Sequence, residues 1–157
     1  MSQMIKPAPI VKSFTVPASP ARAFAVFTDG HGRWWPKTHS IGDSPLKEGV
    51  IEPRVGGRWY GLLEDGTENM WGDVLAWEPP SRLVLAWRIS GHWAYDPNLL
   101  TEIEVRFTPQ SDGFTRVDFE HRNLERLGEG EGAMQIRNSM DDGWGLILDH
   151  YIAAVAG

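Results

Sequence analysis

The sequence predicts an α+β domain. A curved antiparallel β-sheet of about six to seven strands wraps around a long C-terminal α-helix, with two short helices after the first strand. Three observations carry this expectation. Residues 100–108 and 114–121 alternate apolar and polar side chains, the pattern of strands with one covered face and one wet face. From about Met134 to Ala156 the period becomes helical, with Met140, Trp144, Ile147, Leu148, Tyr151 and Val155 on one stripe, and this long apolar element is the one available to cover the sheet. Eight tryptophans fall within 157 residues, and Trp59, Trp71, Trp77 and Trp87 lie in strand-like runs. An indole is large and carries an N–H donor, so it seldom packs completely inside a small domain. So many on one sheet predict walls around a space, the usual home of a small apolar ligand.

The elements follow in order. Residues 1–9, with Pro7 and Pro9, read as a loose lead-in to a single domain over 10–157. Residues 10–16 (IVKSFTV) form a first strand, ended by Pro17. Ser19-Pro20 combines a hydroxyl N-cap with proline at the first helical position. Ala23, Phe24 and Phe27 then keep helical spacing until Asp29-Gly30. Trp34-Trp35-Pro36 predicts a second short helix or turn. Residues 48–55 and 57–64 flank Gly56-Gly57 as strands of a hairpin or bulge, and Glu64-Asp65-Gly66 turns the chain into a strand over 67–77. Pro79-Pro80 ends that strand and 82–89 (RLVLAWRI) forms the next. Asp96-Pro97-Asn98 and Ser111-Asp112-Gly113 mark the turns around the two alternating strands. Residues 122–133, with Gly128, Gly130 and Gly132, read as a mobile loop before the final helix, which Gly143 and Gly145 weaken locally by roughly 1 kcal/mol each.

Composition excludes several function classes. A net charge of −6, without a basic run, argues against nucleic acid or an anionic membrane as partner. Without cysteine there is no disulfide, thiolate metal site or cysteine nucleophile. The N-terminus has no long apolar stretch of the secretory kind and no window reaches the ~20 apolar residues of a membrane span, so the cytoplasm is the expected location. No cofactor or metal is expected. His31 and His39, near Asp29 and Asp43, lack metal-ligand spacing and read as loop surface. The glycines match no phosphate-binding pattern, and no serine sits in a nucleophile elbow.

The candidate site is therefore an apolar one. Trp59, Trp87, Phe119, Trp144 and Leu148 are expected around the cavity, with Trp35 and Met70 near an opening. Leu83, Leu85, Trp87 and Ile89 share a strand face, whereas flanking glycines leave the phase of Trp59 and Met70 open to bulges. His121 shares the inner face with Val117 and Phe119. It is a candidate ligand contact or acid–base group, or alternatively a histidine bonded to backbone or helix. Asp118 falls on the opposite face, and the neighbours Asp149 and His150 do not face each other on a helix. Glu102, Glu104 and Arg106 read as a solvated stripe of mixed charge. Arg54 and Arg58 are either cations at the cavity mouth or surface residues.

The order of elements and a series of motifs resemble the START-like (SRPBCC) superfamily with the helix-grip fold, and within it the family named for the activator of the heat-shock-protein-90 ATPase. The matching segments are VPASPARAFAVFTD (16–29), WW (34–35), GGRW (56–59), DG (65–66), WGDVLAWEPPSRLVLAW (71–87), the alternation over 101–109, DGFTRVDFEH (112–121) and GW (143–144). The resemblance implies a hydrophobic pocket between sheet and helix. The expected function is binding of a small hydrophobic or aromatic ligand, gated by the 122–133 loop and the Trp34-Trp35 segment. Two alternatives stand beside it: an enzyme of cyclase, hydrolase or lyase type using His121, and a chaperone-regulating or stress-response interaction module. An edge strand also leaves room for a homodimer.

Overall fold

The computed structural model describes residues 7–41, 43–91, 93–127 and 131–157. Seven strands form one antiparallel sheet: β1 (Ile10–Val16), β2 (Leu46–Ile51), β3 (Arg58–Leu63), β4 (Glu68–Glu78), β5 (Arg82–Trp87), β6 (Thr101–Pro109) and β7 (Thr115–Arg122). Their order across the sheet is β1-β7-β6-β5-β4-β3-β2, so the first strand lies against the last and β1 and β2 are the two edges. Two helices, α1 (Pro20–Thr28) and α2 (His31–Trp34), follow β1, and α3 (Glu131–Ala156) closes the chain. The helix-grip expectation holds in its sheet, its long helix and its two short helices.

Local chemistry sets the first turns. Ser19 Oγ accepts the N–H of Arg22 at 3.2 Å and Pro20 occupies the first turn of α1. That helix buries Ala23, Phe24 and Phe27. In β6 and β7 the predicted inner residues Ile103, Val105, Phe107, Val117 and Phe119 are all buried. Helix α3 lays Met140, Trp144, Ile147, Leu148, Tyr151 and Val155 on the same core. Tyr151 donates its phenol to the Ala23 carbonyl at 2.7 Å, tying α3 to α1.

Four details differ from the sequence expectation. Strand β2 runs over Leu46–Ile51, and the stretch before Gly56 is loop rather than strand. Gly56 itself takes φ +81 in that loop. Strand β7 continues through Arg122, and Leu124–Leu127 form a 3₁₀ turn with Leu124 fully buried, so these residues are not a mobile loop. Of the predicted loop, 128–130 lie outside the described residues, as do 1–6 of the lead-in; α3 begins at Glu131 rather than 134. Glu104 is not solvated: it is 8% exposed and takes ion pairs from Arg82, Arg106 and Arg122. Burial opposes its charge, but the bonds from Arg122 and Arg82 outweigh that and hold its carboxyl below the usual range.

Candidate functional site

The aromatic side chains converge beneath α3. Trp59 packs on Trp71 and Trp87 with ring centroids 5.7 and 5.4 Å apart, and Trp144 packs on Trp35, Trp87 and Phe119 at 5.8, 5.7 and 4.7 Å. Most of these contacts are tilted or edge-to-face, as the aromatic quadrupole favours. The indoles therefore fill much of the interior by packing on one another.

They leave a cavity of about 310 Å³, at the small end of the range for ligand sites, roughly 300–1,000 Å³. Three parts of the chain wall it. Helix α3 contributes Ser139, Met140, Gly143, Trp144 and Ile147; the segment after α2 contributes Trp35 and residues 38–41; the sheet and the loop beyond β5 contribute Trp71, Trp87, Ile89 and Trp93. Among the described residues, no Asp, Glu, Lys or Arg lines it. A second hollow of about 750 Å³ lies between α1, α2, β2 and the Trp77–Pro80 turn, and its wall includes Asp29, Arg33 and Glu48. The first has the apolar chemistry and the place under α3 expected of a ligand cavity.

Glycines behind the first cavity's wall hold one of its indoles in place. A Cβ on Gly61 would stand 2.7 Å from Trp71 Cζ2, and one on Gly49 would stand 2.9 Å from His31 Cδ2 and 3.3 Å from Trp71 Cζ3. Bare backbone in β2 and β3 thus seats the Trp71 indole and the His31 ring. At Gly143, by contrast, a Cβ would meet nothing nearer than His39 Cδ2 at 4.0 Å. That position opens into the cavity.

Two buried histidines lock the indoles. Trp144 Nε1 donates to His121 Nδ1 at 3.1 Å. The other ring nitrogen, His121 Nε2, lies 2.8 Å from Thr101 Oγ1, which donates to the Trp87 carbonyl at 2.9 Å. This fixes the neutral Nε2–H tautomer, because Nδ1 must accept and the Thr101 proton is already committed. The mirror arrangement holds at His31, where Nε2 accepts from Trp59 Nε1 at 3.2 Å and Nδ1 donates to the Phe27 carbonyl at 3.2 Å. Desolvation pushes both imidazoles down to about 3. His31 is 1% exposed, which overturns its reading as loop surface. Its place in the four-residue α2 gave no periodicity by which its inward orientation could be read.

The predicted site residues divide into three groups. Trp35, Trp87 and Trp144 line the cavity. Trp59, Phe119, His121 and Leu148 are buried behind that wall, in the core that supports it. Met70 lies on the other face: it pairs with Tyr60 while Trp59 pairs with Gly72, so a bulge at Trp71 turns Met70 outward. Arg54 and Arg58 also sit away from the cavity, bonded to Glu52 and, for Arg58, to Glu68. Trp35 is not a loose gate, since its Nε1 donates to the His39 carbonyl at 2.7 Å and the ring is 5% exposed. Sequence reasoning missed Trp71, Ile89, Trp93 and Ile147 as wall residues. Trp71 was detectable only through the bulge, and Ile147 was already on the helix stripe.

Two indole N–H groups remain without a partner among the described residues, those of Trp71 and Trp87. An unmade hydrogen bond at a buried donor costs about 1–3 kcal/mol. Both rings belong to the cavity wall.

Comparison with known proteins agrees with this architecture. The sequence model of the family described as "Activator of Hsp90 ATPase homolog 1-like protein" matches residues 17–157. No curated protein matches the chain. Among solved structures, an anthrahydroquino-Gama-pyrone synthase, Txn09, is 38% identical, with a TM-score of 0.66 over 96% of this chain and 98% of that one. The self-sacrificing resistance protein CalC from Micromonospora echinospora is 34% identical, with a TM-score of 0.71 over 95% and 94%. Protein MLL2253 from Mesorhizobium loti, at 19% identity and a TM-score of 0.65, shares the fold.

Proposed function

The chain belongs to the Activator of Hsp90 ATPase homolog 1-like family, and from that premise we propose that it is a receptor for a small, flat, apolar or aromatic molecule. The observation that carries this reading is the 310 Å³ cavity walled by Trp35, Trp71, Trp87 and Trp144 without a charged side chain among the described residues. Burial of about 250 Å² of apolar guest surface contributes about 6 kcal/mol at 25 cal/mol per Å². Association entropy offsets part of that gain, so micromolar binding is the scale to expect. The test is a titration of polycyclic aromatic compounds followed by tryptophan fluorescence and thermal shift, with Gly143→Leu as the blocked control. Saturable quenching in the native chain and its loss in the control support the reading. Equal responses in the two proteins remove it.

A second reading, conversion of the bound molecule, is favoured by the likeness to the synthase. His121 is poorly suited to the acid–base role, because both its ring nitrogens are engaged and burial keeps the ring neutral. The histidine in the described wall is His39, whose Nδ1 lies 2.9 Å from Thr38 Oγ1. Turnover that survives His121→Asn and is lost in His39→Ala would separate the two histidines. The chaperone-regulating alternative calls for continuous exposed apolar surface. Val11, Val55, Trp93, Tyr95, Phe114 and Leu146 are the exposed large apolar side chains among the described residues, and apart from Trp93 and Tyr95 they sit on separate elements. That distribution lends the interaction reading less support.

A further inference from the structure

Six tryptophans are buried in the described structure, and four of them donate their indole N–H within the protein: Trp34 to the Val26 carbonyl, Trp35 to the His39 carbonyl, Trp59 to His31 and Trp144 to His121. Two of those bonds use an imidazole nitrogen, so the fold supplies even uncommon acceptors deep in its core. The exceptions are Trp71 and Trp87. They stand side by side on β4 and β5, where Gly72 pairs with Trp87 and the Arg88 N–H donates to the Trp71 carbonyl at 2.9 Å. Both rings wall the same cavity, so one rigid guest can rest against both.

We propose that Trp71 and Trp87 are the hydrogen-bond donors that select the guest, and that the guest class is a neutral aromatic ketone or quinone. This rests on the receptor reading above and adds the polar half of recognition to it. As the rings stand, neither N–H is open to solvent or to the cavity, so a guest oxygen reaches one of them only when its ring turns. The donor role thus calls for a turn of Trp71 or Trp87 on guest binding, which for Trp71 means shifting the ring edge that packs on Gly61. A carbonyl oxygen suits this edge because it accepts and has no proton to place. A carboxylate does not suit it, because no Lys or Arg lines the described wall to balance a desolvated charge.

Three probes on one tricyclic frame separate these statements: fluorene, 9-fluorenone and, with its carboxylate in the ring plane, fluorene-2-carboxylate. Each is titrated into the full chain by calorimetry, and the indole N–H resonances are followed in ¹H–¹⁵N spectra, assigned through Trp71→Phe and Trp87→Phe. If either variant fails to fold, assignment comes from through-space contacts in the native chain. The expected result is roughly tenfold tighter binding of 9-fluorenone than of fluorene, equivalent to about 1.4 kcal/mol. The Trp71 or Trp87 N–H proton moves downfield with the ketone only, and the carboxylate binds more weakly than the ketone. Equal affinity for fluorene and 9-fluorenone with both resonances unmoved overturns the donor assignment and leaves the receptor reading standing. Tighter binding of the carboxylate overturns the choice of a neutral guest. Binding of none of the three removes the receptor reading and this proposal together.

Discussion

Acidification from pH 7 to pH 5 should destabilise this protein through His31 and His121. Both rings are fully buried, both are held neutral, and burial lowers both to about 3 in the folded state. In the unfolded chain each titrates near 6.5. Above about 6.5 neither state binds the proton, and the histidines add no pH dependence. As pH falls from there towards about 3, the unfolded chain takes up protons that the folded chain refuses, so stability declines. At pH 5 the cost is about 2 kcal/mol per histidine and about 4 kcal/mol for the pair. That is a large share of a typical folding stability of about 5–15 kcal/mol. Glu52, Asp65, Glu104 and Asp141 have pKa values held below their ordinary ones, so they titrate under this window and do not mimic the effect. Urea unfolding at pH 7, 6 and 5 measures the loss. Replacing one histidine, as in His121→Asn, should lower stability at pH 7 and roughly halve the slope. A decline under about 1 kcal/mol between pH 7 and 5 in the native chain refutes the burial argument.

Other substitutions probe the wall itself. Gly61→Ala pushes its Cβ to 2.7 Å from Trp71 and should cost about 1–3 kcal/mol by overpacking, with weaker guest binding as the indole is driven into the cavity; denaturant unfolding and the fluorescence titration read the two effects. Gly72→Ala places a Cβ 1.7 Å from the Ala86 carbonyl oxygen, so β4 and β5 must part and the chain should fail to give a native near-ultraviolet spectrum. Gly143→Leu should keep or raise thermal stability, because leucine is a better helix former than glycine by roughly 1 kcal/mol, while abolishing binding. Trp144→Phe leaves His121 Nδ1 without its donor and should cost about 1–3 kcal/mol in urea unfolding.

Much of the fold was legible because its signals are local. The alternation in β6 and β7, the Ser19-Pro20 start of α1 and the stripe of α3 each follow from one element's own period. The site was less legible because it depends on exceptions to period. The bulge at Trp71 turned that indole inward and Met70 outward, and a strictly alternating strand does not show which of the two faces in. His31 sits in a helix of one turn, and its seat is made by Gly49, a residue whose lack of a side chain leaves no sign in hydropathy. The indole count did predict an aromatic interior. It overestimated the space, since Trp59 and Phe119 are consumed in packing against Trp87 and Trp144.

The tryptophan-walled cavity beneath α3 should admit a flat aromatic guest. Intermolecular through-space contacts in the saturated fluorene complex test it most directly. Contacts are expected from fluorene protons to the rings of Trp35, Trp87 and Trp144 and to the Ile147 methyl groups, all of which line the same 310 Å³. Contacts confined to exposed side chains such as Tyr95, Phe114 or Leu146 would contradict it.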